Sequence, residues 1–211
     1  MTKKTDDHKK QKTLVLASGN PDKVREMEQL LAVTGYTVCS LHEIAGKVDI
    51  EETGLTLEEN AEIKARFVYE KTGLPALADD TGLEVDALGG RPGVWSARYG
   101  GPSGDAASNR RKLLKELSGV TEASDRSARF RTVLIYMTEE GVRRYDGVCQ
   151  GRILDHERGS GGFGYDPLFL PDGYEQTFAE MEPELKNHIS HRGRALRKFL
   201  EDMSSPDHRP V

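Results

Sequence analysis

The sequence predicts an α/β fold built on a mixed β-sheet. Two patterns carry this. Strand-like and helix-like segments alternate through the first half of the chain, and two long alternating segments joined by Glu139-Glu140-Gly141 read as an antiparallel hairpin. Size sets the rest: 211 residues at 36% hydrophobic, with no internal repeat, low-complexity linker or sharp shift in composition, make one domain.

Each element has its own signal. Thr13–Ala17 is an apolar strand that breaks at Ser18-Gly19-Asn20. Pro21 then opens a helix reaching Val33, with Asn20 as its cap. Tyr36–Ser40 is a second strand. In the helix Leu57–Lys71, Thr56 and Glu59 form a capping box, and Leu57, Ala61, Ala65 and Val68 share a face. Ala76–Ala78 is a short apolar run that ends in Asp79-Asp80, and Leu83–Leu88 is a further strand. Asp105–Leu117 is helical, with Leu113, Leu114 and Leu117 apolar. Arg126–Met137 and Arg143–Ile153 are the hairpin strands. Thr177–Met181 starts a short helix, with Thr177 and Glu180 as a second capping box. His191–Met203 is the last helix and turns Leu196, Phe199, Leu200 and Met203 inward. The domain covers 13–203, between polar tails at 1–12 and 204–211.

Charge and composition exclude several function classes. A net charge of −5 argues against binding a nucleic acid polymer through a general basic surface, so an anionic ligand needs a local cationic pocket or a metal. No apolar run approaches the roughly 20 residues of a membrane span. The first dozen residues lack the apolar core of a signal peptide. Cys39 and Cys149 are too few for a disulfide framework or a zinc site; both are expected as buried thiols in a reducing cytoplasm.

Four stretches concentrate chemistry. In the first, Ser18-Gly19-Asn20-Pro21-Asp22-Lys23, a strand passes through a glycine turn to a helix N-terminus. Backbone N–H groups there hold phosphate oxygens well. Lys23 sits in the first helical turn, where the helix dipole disfavours a cation by a few tenths of a kcal/mol, up to roughly 1. It either faces an anion or snorkels as an ordinary surface lysine. The spacing is not that of a P-loop. In the second, Asp79 and Asp80 close an apolar run and precede Thr81-Gly82. Neighbouring strand residues point to opposite faces, so the two carboxylates need not share a task; one suits Mg²⁺, the other a water. Turn chemistry is the plainer explanation of Asp-Thr-Gly, but burying bare charge is expensive. The third stretch, Glu51-Glu52-Thr53-Gly54, precedes a helix on which Asn60 and Lys64 share one face. Glu52 is either a hard oxygen ligand or part of a solvated acidic loop. In the fourth, glycines surround Phe163, which either stacks on a base or anchors a loop, and Ser190-His191-Arg192-Gly193-Arg194 opens the last helix with Lys186 just before it.

Taken together these segments resemble the inosine/xanthosine triphosphate pyrophosphatase family. The resemblance rests on Ser18-Gly19-Asn20-x-x-Lys23, Glu51-Glu52-Thr53-Gly54, Glu59-Asn60-Ala61 and Ala78-Asp79-Asp80-Thr81-Gly82-Leu83. It continues through Val85 to Gly93, Ser96-Ala97-Arg98-Tyr99, Gly162-Phe163-Gly164-Tyr165-Asp166-Pro167 and Ser190-His191-Arg192-Gly193. Eight pieces in this order span about Leu14 to Leu200.

The resemblance implies an elongated α/β domain with a cleft between two lobes, a homodimer, and Mg²⁺-dependent hydrolysis of ITP, dITP and XTP to the monophosphate and pyrophosphate. By position, Ser18, Gly19, Asn20, Pro21, Asp22 and Lys23 would hold the triphosphate, assisted by Lys64 and Thr81. Asp80 would accept the proton of the attacking water. Glu52 and Asp80, with Asp79 close by, would ligate Mg²⁺. Phe163 would stack on the purine, and Phe163, Gly164, Tyr165 and Asp166 would line the base and sugar pocket. Lys186, His191 and Arg192 would reach the base. Thr81 stands where the family commonly has Ser, and Trp95 where Tyr is more usual. The alternatives are a related pyrophosphatase acting on modified pyrimidine nucleotides and a non-catalytic nucleotide sensor; the carboxylates Glu52, Asp79 and Asp80 disfavour the sensor.

Overall fold

In the computed structural model residues 13–32, 36–46, 48, 50–101 and 104–204 are described. The tail at 1–12, most of the one at 204–211 and the last residue of the first expected helix, Val33, lie outside them. The strands are β1 (Thr13–Leu16), β2 (Thr37–Ser40), β3 (Ala76–Val85), β4 (Pro92–Gly93), β5 (Ser127–Thr138), β6 (Gly141–Ile153) and β7 (Phe169–Pro171). The α-helices are α1 (Pro21–Leu31), α2 (Leu41–Ala45), α3 (Leu57–Thr72), α4 (Ala106–Glu116), α5 (Pro183–Ile189) and α6 (His191–Ser204).

The strands form one mixed sheet ordered β2-β1-β3-β5-β6-β7, with β4 paired to β3. β1 runs parallel to β2 and β3, whereas the β3–β5, β5–β6 and β6–β7 pairs are antiparallel. The expected hairpin is the β5–β6 pair, registered Thr138↔Gly141 around Glu139-Glu140. Because β3 is ten residues long and β5 twelve, they reach through two separate regions of core. At one end α3 packs Leu57, Ala61, Ala65 and Val68 on Val15, Ala76, Ala78 and Val133, while α1 and α6 cover the opposite face through Met27, Leu31, Leu196 and Phe199. At the other end Leu83, Val85 and Phe130 pack with Leu113, Leu117, Phe169 and Phe178. The α/β mixed-sheet expectation holds.

The middle of β3 lies between these two regions of core. β1 pairs with β3 at Val15↔Ala76 and Leu16↔Leu77, and β4 joins the same edge at Leu83↔Gly93. Residues 78–82 therefore have β5 on one edge and no strand on the other among the described residues. This gap opens at the carboxyl end of β1, where the chain turns into α1. Open α/β sheets place ligands at such points.

Several elements differ from expectation. Ala76–Ala78 and Leu83–Leu88 are parts of one strand: β3 runs through Asp-Asp-Thr-Gly, pairing Asp79↔Leu134 and Asp80↔Val133, and gives way to a 3-10 turn at Asp86–Leu88. The ladder to β5 overrides the turn preference of those residues. Thr177–Met181 is a turn rather than the start of a helix; Glu180 does accept from the Thr177 N–H at 2.8 Å, but the Thr177 hydroxyl donates to the Arg158 carbonyl instead of capping. Cys149 is buried as expected, whereas Cys39 is only half-buried.

Candidate active site

α1 begins where the local chemistry says it should. Asn20 Oδ1 accepts from the N–H groups of Asp22 (2.9 Å) and Lys23 (3.3 Å), and Pro21 occupies the first helical position. Lys23 is thereby aimed across the gap, and its ammonium lies 3.0 Å from Asp79 Oδ2. The unfavourable dipole at the helix start is offset by a buried carboxylate. Asp22 instead pairs with exposed Arg25 at 3.2 Å and adds no side-chain contact to this group. Ser18 Oγ accepts from Asn20 N–H at 3.3 Å, which shapes the turn ahead of the helix.

Asp79 and Asp80 take opposite faces of β3, as strand alternation requires. Asp79 shares the α1/α6 face with Lys23, Arg192 (3.3 Å) and the Thr81 hydroxyl (3.1 Å), and the Thr81 hydroxyl also meets Thr132 at 2.7 Å. Asp80 turns to the α3 face, where Lys64 Nζ lies 2.8 Å from its Oδ1 and 3.0 Å from Glu52 Oε1. Burial alone would push the Asp79 carboxyl up, but Lys23, Arg192 and Lys64 outweigh it and hold it well below the usual carboxylate range. At Asp80 burial wins over Lys64 and raises the carboxyl above its ordinary value. Burial weakens the Lys64 ammonium less than Asp80, Asp79 and Glu52 strengthen it, so it stays charged.

α6 delivers Arg192. Ser190 Oγ accepts from Gly193 N–H at 3.1 Å and caps the helix. A Cβ on Gly147 of β6 would sit 1.9 Å from the His191 carbonyl, so only glycine lets the first turn of α6 lie on the sheet. Arg192 is almost wholly buried and also pairs with Glu26 of α1. Glu26 Oε1 and Asp166 Oδ2 both hold the Lys186 ammonium, at 2.7 and 2.8 Å. Asp166 accepts the Phe163 N–H at 2.7 Å, and any Cβ on Gly162 would collide with that carboxylate. The Phe163 ring lies 4.7 Å from the Lys186 ammonium and 5.6 Å from the Arg192 guanidinium. One chain of ion pairs thus runs Lys23–Asp79–Arg192–Glu26–Lys186–Asp166 and ends under an aromatic ring.

Not every expected residue faces this group. Tyr165 is buried in the far core with its hydroxyl donating to the Ser96 carbonyl at 2.9 Å, so it supports the Phe163 loop rather than lining a pocket. Gly164 offers its carbonyl to Arg110 at 2.8 Å. His191 is buried and stacks on Phe130 with centroids 4.6 Å apart; its Nδ1 has no partner. Burial, reinforced by Arg192 and Lys186, pushes its pKa well below the ordinary value, so it is neutral at pH 7. Sequence reasoning missed Glu26 and Thr132. Glu26 lies one helical turn beyond Lys23 and beside buried Met27, a spacing that was open to reading; Thr132 depends on the Thr81↔Thr132 register, which was not.

Among the described residues no three His, Cys, Asp or Glu side chains gather as a metal cage. Glu52 and Asp80 nonetheless fit Mg²⁺, because both turn a hard oxygen to a single cationic atom. Mg²⁺ is commonly held by one or two carboxylates plus substrate phosphates. Asp79 does not join them on the α3 face. Its Oδ2 is taken by Lys23 and Arg192, while its buried Oδ1 has no partner.

The sequence model of the Ham1 family matches residues 14–202, which contain every residue named in this site. The chain belongs to the Ham1 family. Among Ham1 relatives, the dITP/XTP pyrophosphatase of Thioalkalivibrio sulfidiphilus is 51% identical over 191 residues, covering 89% of this chain and 96% of that protein. The HAM1 protein structure from Coxiella burnetii superposes with a TM-score of 0.83 at 43% identity, covering 92% of this chain and 98% of that one. The Ham1 protein of Staphylococcus aureus gives 0.81 at 36% identity, covering 91% and 98%.

Proposed function

We propose that this chain is a nucleoside triphosphate pyrophosphohydrolase. It cleaves ITP, dITP and XTP to the monophosphate and pyrophosphate and so clears non-canonical purines from the nucleotide pool. The observation that carries the reading is the meeting of Lys23, Lys64 and Arg192 around Asp79 and Asp80 in the gap of the sheet. An acidic protein has gathered buried cations where a triphosphate would need them, and relatives about half identical to it are named for this chemistry.

The roles follow from placement. Lys23 and the turn Ser18–Asn20 bind phosphate oxygens, with Lys64 and Thr81 beside them. Asp80, its carboxyl raised by burial, is the better base of the two aspartates and takes the proton of the attacking water. Asp79 stays ionised and orients Lys23 and Arg192. Glu52 and Asp80 would hold Mg²⁺, which supplies charge neutralisation at the phosphates and acidifies bound water. Water attack at the α-phosphorus breaks the bond to the β-phosphate bridging oxygen and expels pyrophosphate onto the lysines.

Base choice has a physical reason. Hypoxanthine and xanthine present a 6-carbonyl to the donors of Arg192 and Lys186, with Phe163 as a stacking face. Adenine presents an amino group there and leaves a buried donor unpaired, a loss of roughly 1–3 kcal/mol. The protein acts as a homodimer in the cytoplasm. The test is product analysis with ITP, dITP, XTP, ATP, GTP and dUTP in Mg²⁺. IMP with pyrophosphate is expected from ITP; IDP with orthophosphate, or tight binding without turnover, refutes the assignment. Asp80→Asn should abolish turnover, and full activity in that variant removes Asp80 as the base.

A further inference from the structure

Lys64 occupies the point on which Glu52 and Asp80 converge. Its ammonium is 3.0 Å from one carboxylate and 2.8 Å from the other, and the side chain is 7% exposed. Both sides of this contact are set by rigid structure. α3 is fixed at its start by the Thr56–Glu59 capping box and by Glu58, which Arg131 and Arg144 hold at 2.5 and 2.8 Å. The loop carrying Glu52 is tied to the same helix: Asn60 Oδ1 accepts Gly54 N–H at 2.8 Å, and Glu59 accepts Leu55 N–H at 2.6 Å. Asp80 is fixed by the β3–β5 ladder. The flexible element in this arrangement is the four-carbon stem of the lysine.

We propose that Lys64 is a built-in stand-in for the metal: it holds Glu52 and Asp80 together in the free enzyme and must leave before a divalent cation binds between them. The inference rests on the pyrophosphatase reading above and adds to it an order of events. Glu52 Oε1 and Asp80 Oδ1, the oxygens that converge, are both taken by the ammonium, so a divalent cation uses that point only after Lys64 has moved. The metal therefore binds weakly alone and well when nucleotide phosphates receive the displaced ammonium. Metal and nucleotide are thus positively coupled, and the coupling is the same in both directions. The device also keeps the two carboxylates from facing each other unpaired in the empty site, where like charges within contact of a common point would repel.

The test measures Mn²⁺ binding to the nucleotide-free full chain by electron paramagnetic resonance. Lys64→Gln should lower the Mn²⁺ dissociation constant at least tenfold. Lys23→Gln, which removes an equal charge from the neighbouring face, should lower it less than threefold. A Lys64→Gln protein that binds Mn²⁺ no more tightly than wild type overturns the proposal. So does an equal gain in both variants, because the effect would then be a general field rather than occupancy. Should Lys64→Gln not fold, the Lys64 ¹⁵Nζ resonance of the wild type answers the question. It should move as Mg²⁺ saturates the site, and an unmoved resonance at saturation overturns the idea. These readouts are independent of turnover. Wild-type protein that releases pyrophosphate from ITP while its variants bind Mn²⁺ alike would sink the stand-in and leave the pyrophosphatase reading intact.

Discussion

Asp79→Asn removes one charge from the centre of the ion-pair chain while keeping the side chain's shape. The carboxylate it removes is fully buried and faces Lys23 at 3.0 Å and Arg192 at 3.3 Å. Arg192 keeps Glu26, but Lys23 loses its ion-pair partner on this face. The amide oxygen can replace Oδ2 as an acceptor, but it brings no charge to Lys23 and Arg192. Breaking a buried pair by removing one partner typically costs about 3–5 kcal/mol. For a domain of this size each kcal/mol lowers Tm by about 2–4 °C, so the variant should melt about 6–20 °C below wild type. The pH dependence is a second check. A carboxyl depressed in the folded state contributes stability above its unfolded value, near 3.9, and loses it as pH falls through the folded value. Asp79 is therefore ionised in both states at pH 7 and at pH 5, and the gap between variant and wild type should be the same at both. Differential scanning calorimetry at the two pH values measures this. A Tm loss below about 2 °C, or a gap that closes between pH 7 and 5, would refute the argument that Asp79 is a charged anchor.

Three further outcomes are expected. Gly147→Ala forces α6 off the sheet, because the added methyl meets the His191 carbonyl at 1.9 Å and Ala195 N–H at 2.6 Å; about 1–3 kcal/mol of stability should be lost in urea unfolding, together with most kcat/KM, since Arg192 moves with the helix. His191 is buried and neutral with a lowered pKa, so unfolding releases a group that binds protons below about 6.5. Stability should fall by up to about 1.4 kcal/mol per pH unit between 6.5 and 5, and His191→Phe, which keeps the stack on Phe130, should remove that share of the slope in pH-resolved denaturation curves. Asn60→Ala leaves the Gly54 N–H without its acceptor; thermal unfolding should show a loss of about 1–3 kcal/mol, and an unchanged Tm would mean the Glu52 loop does not depend on this bond.

Local rules were the legible part of this fold. The cap at Asn20, the box at Thr56 and Glu59, the buried face Leu57-Ala61-Ala65-Val68 and the β5–β6 hairpin are decided within a few residues, and each is present. Elements decided by pairing at a distance were not legible. β3 reads as two short pieces with a turn between them because Asp and Gly are poor strand formers and Asp-Thr-Gly suits a turn; ten ladder pairs with β5 make it one strand. β4 and β7 are two and three residues long and exist by pairing alone. Thr177–Glu180 carried the letters of a capping box, but Arg158 offered the threonine a competing acceptor. The site followed the same division. Lys23, Asp79, Asp80 and Arg192 were readable as cations and carboxylates in unfavourable local settings, whereas Lys64 and Lys186 were expected through the family resemblance. Glu26 was harder to see, because a glutamate inside an amphipathic helix is unremarkable until α5 and α6 bring Lys186 and Arg192 to it.

The long strand explains how two adjacent aspartates come to differ. Had β3 ended at Ala78, as its sequence suggests, Asp79 and Asp80 would lie on a turn, both solvated and with similar acidity. Continuing the ladder through them buries both and sends them to opposite faces. The α1/α6 face supplies two cations, which lower Asp79; the α3 face supplies one cation shared with Glu52, too little to offset burial, and Asp80 rises. Because β1 has already left the edge of β3, both carboxylates border the same gap although their side chains diverge. One strand thereby sets a carboxyl of lowered pKa beside one of raised pKa, and the distinction between them is created by the fold rather than by the residues.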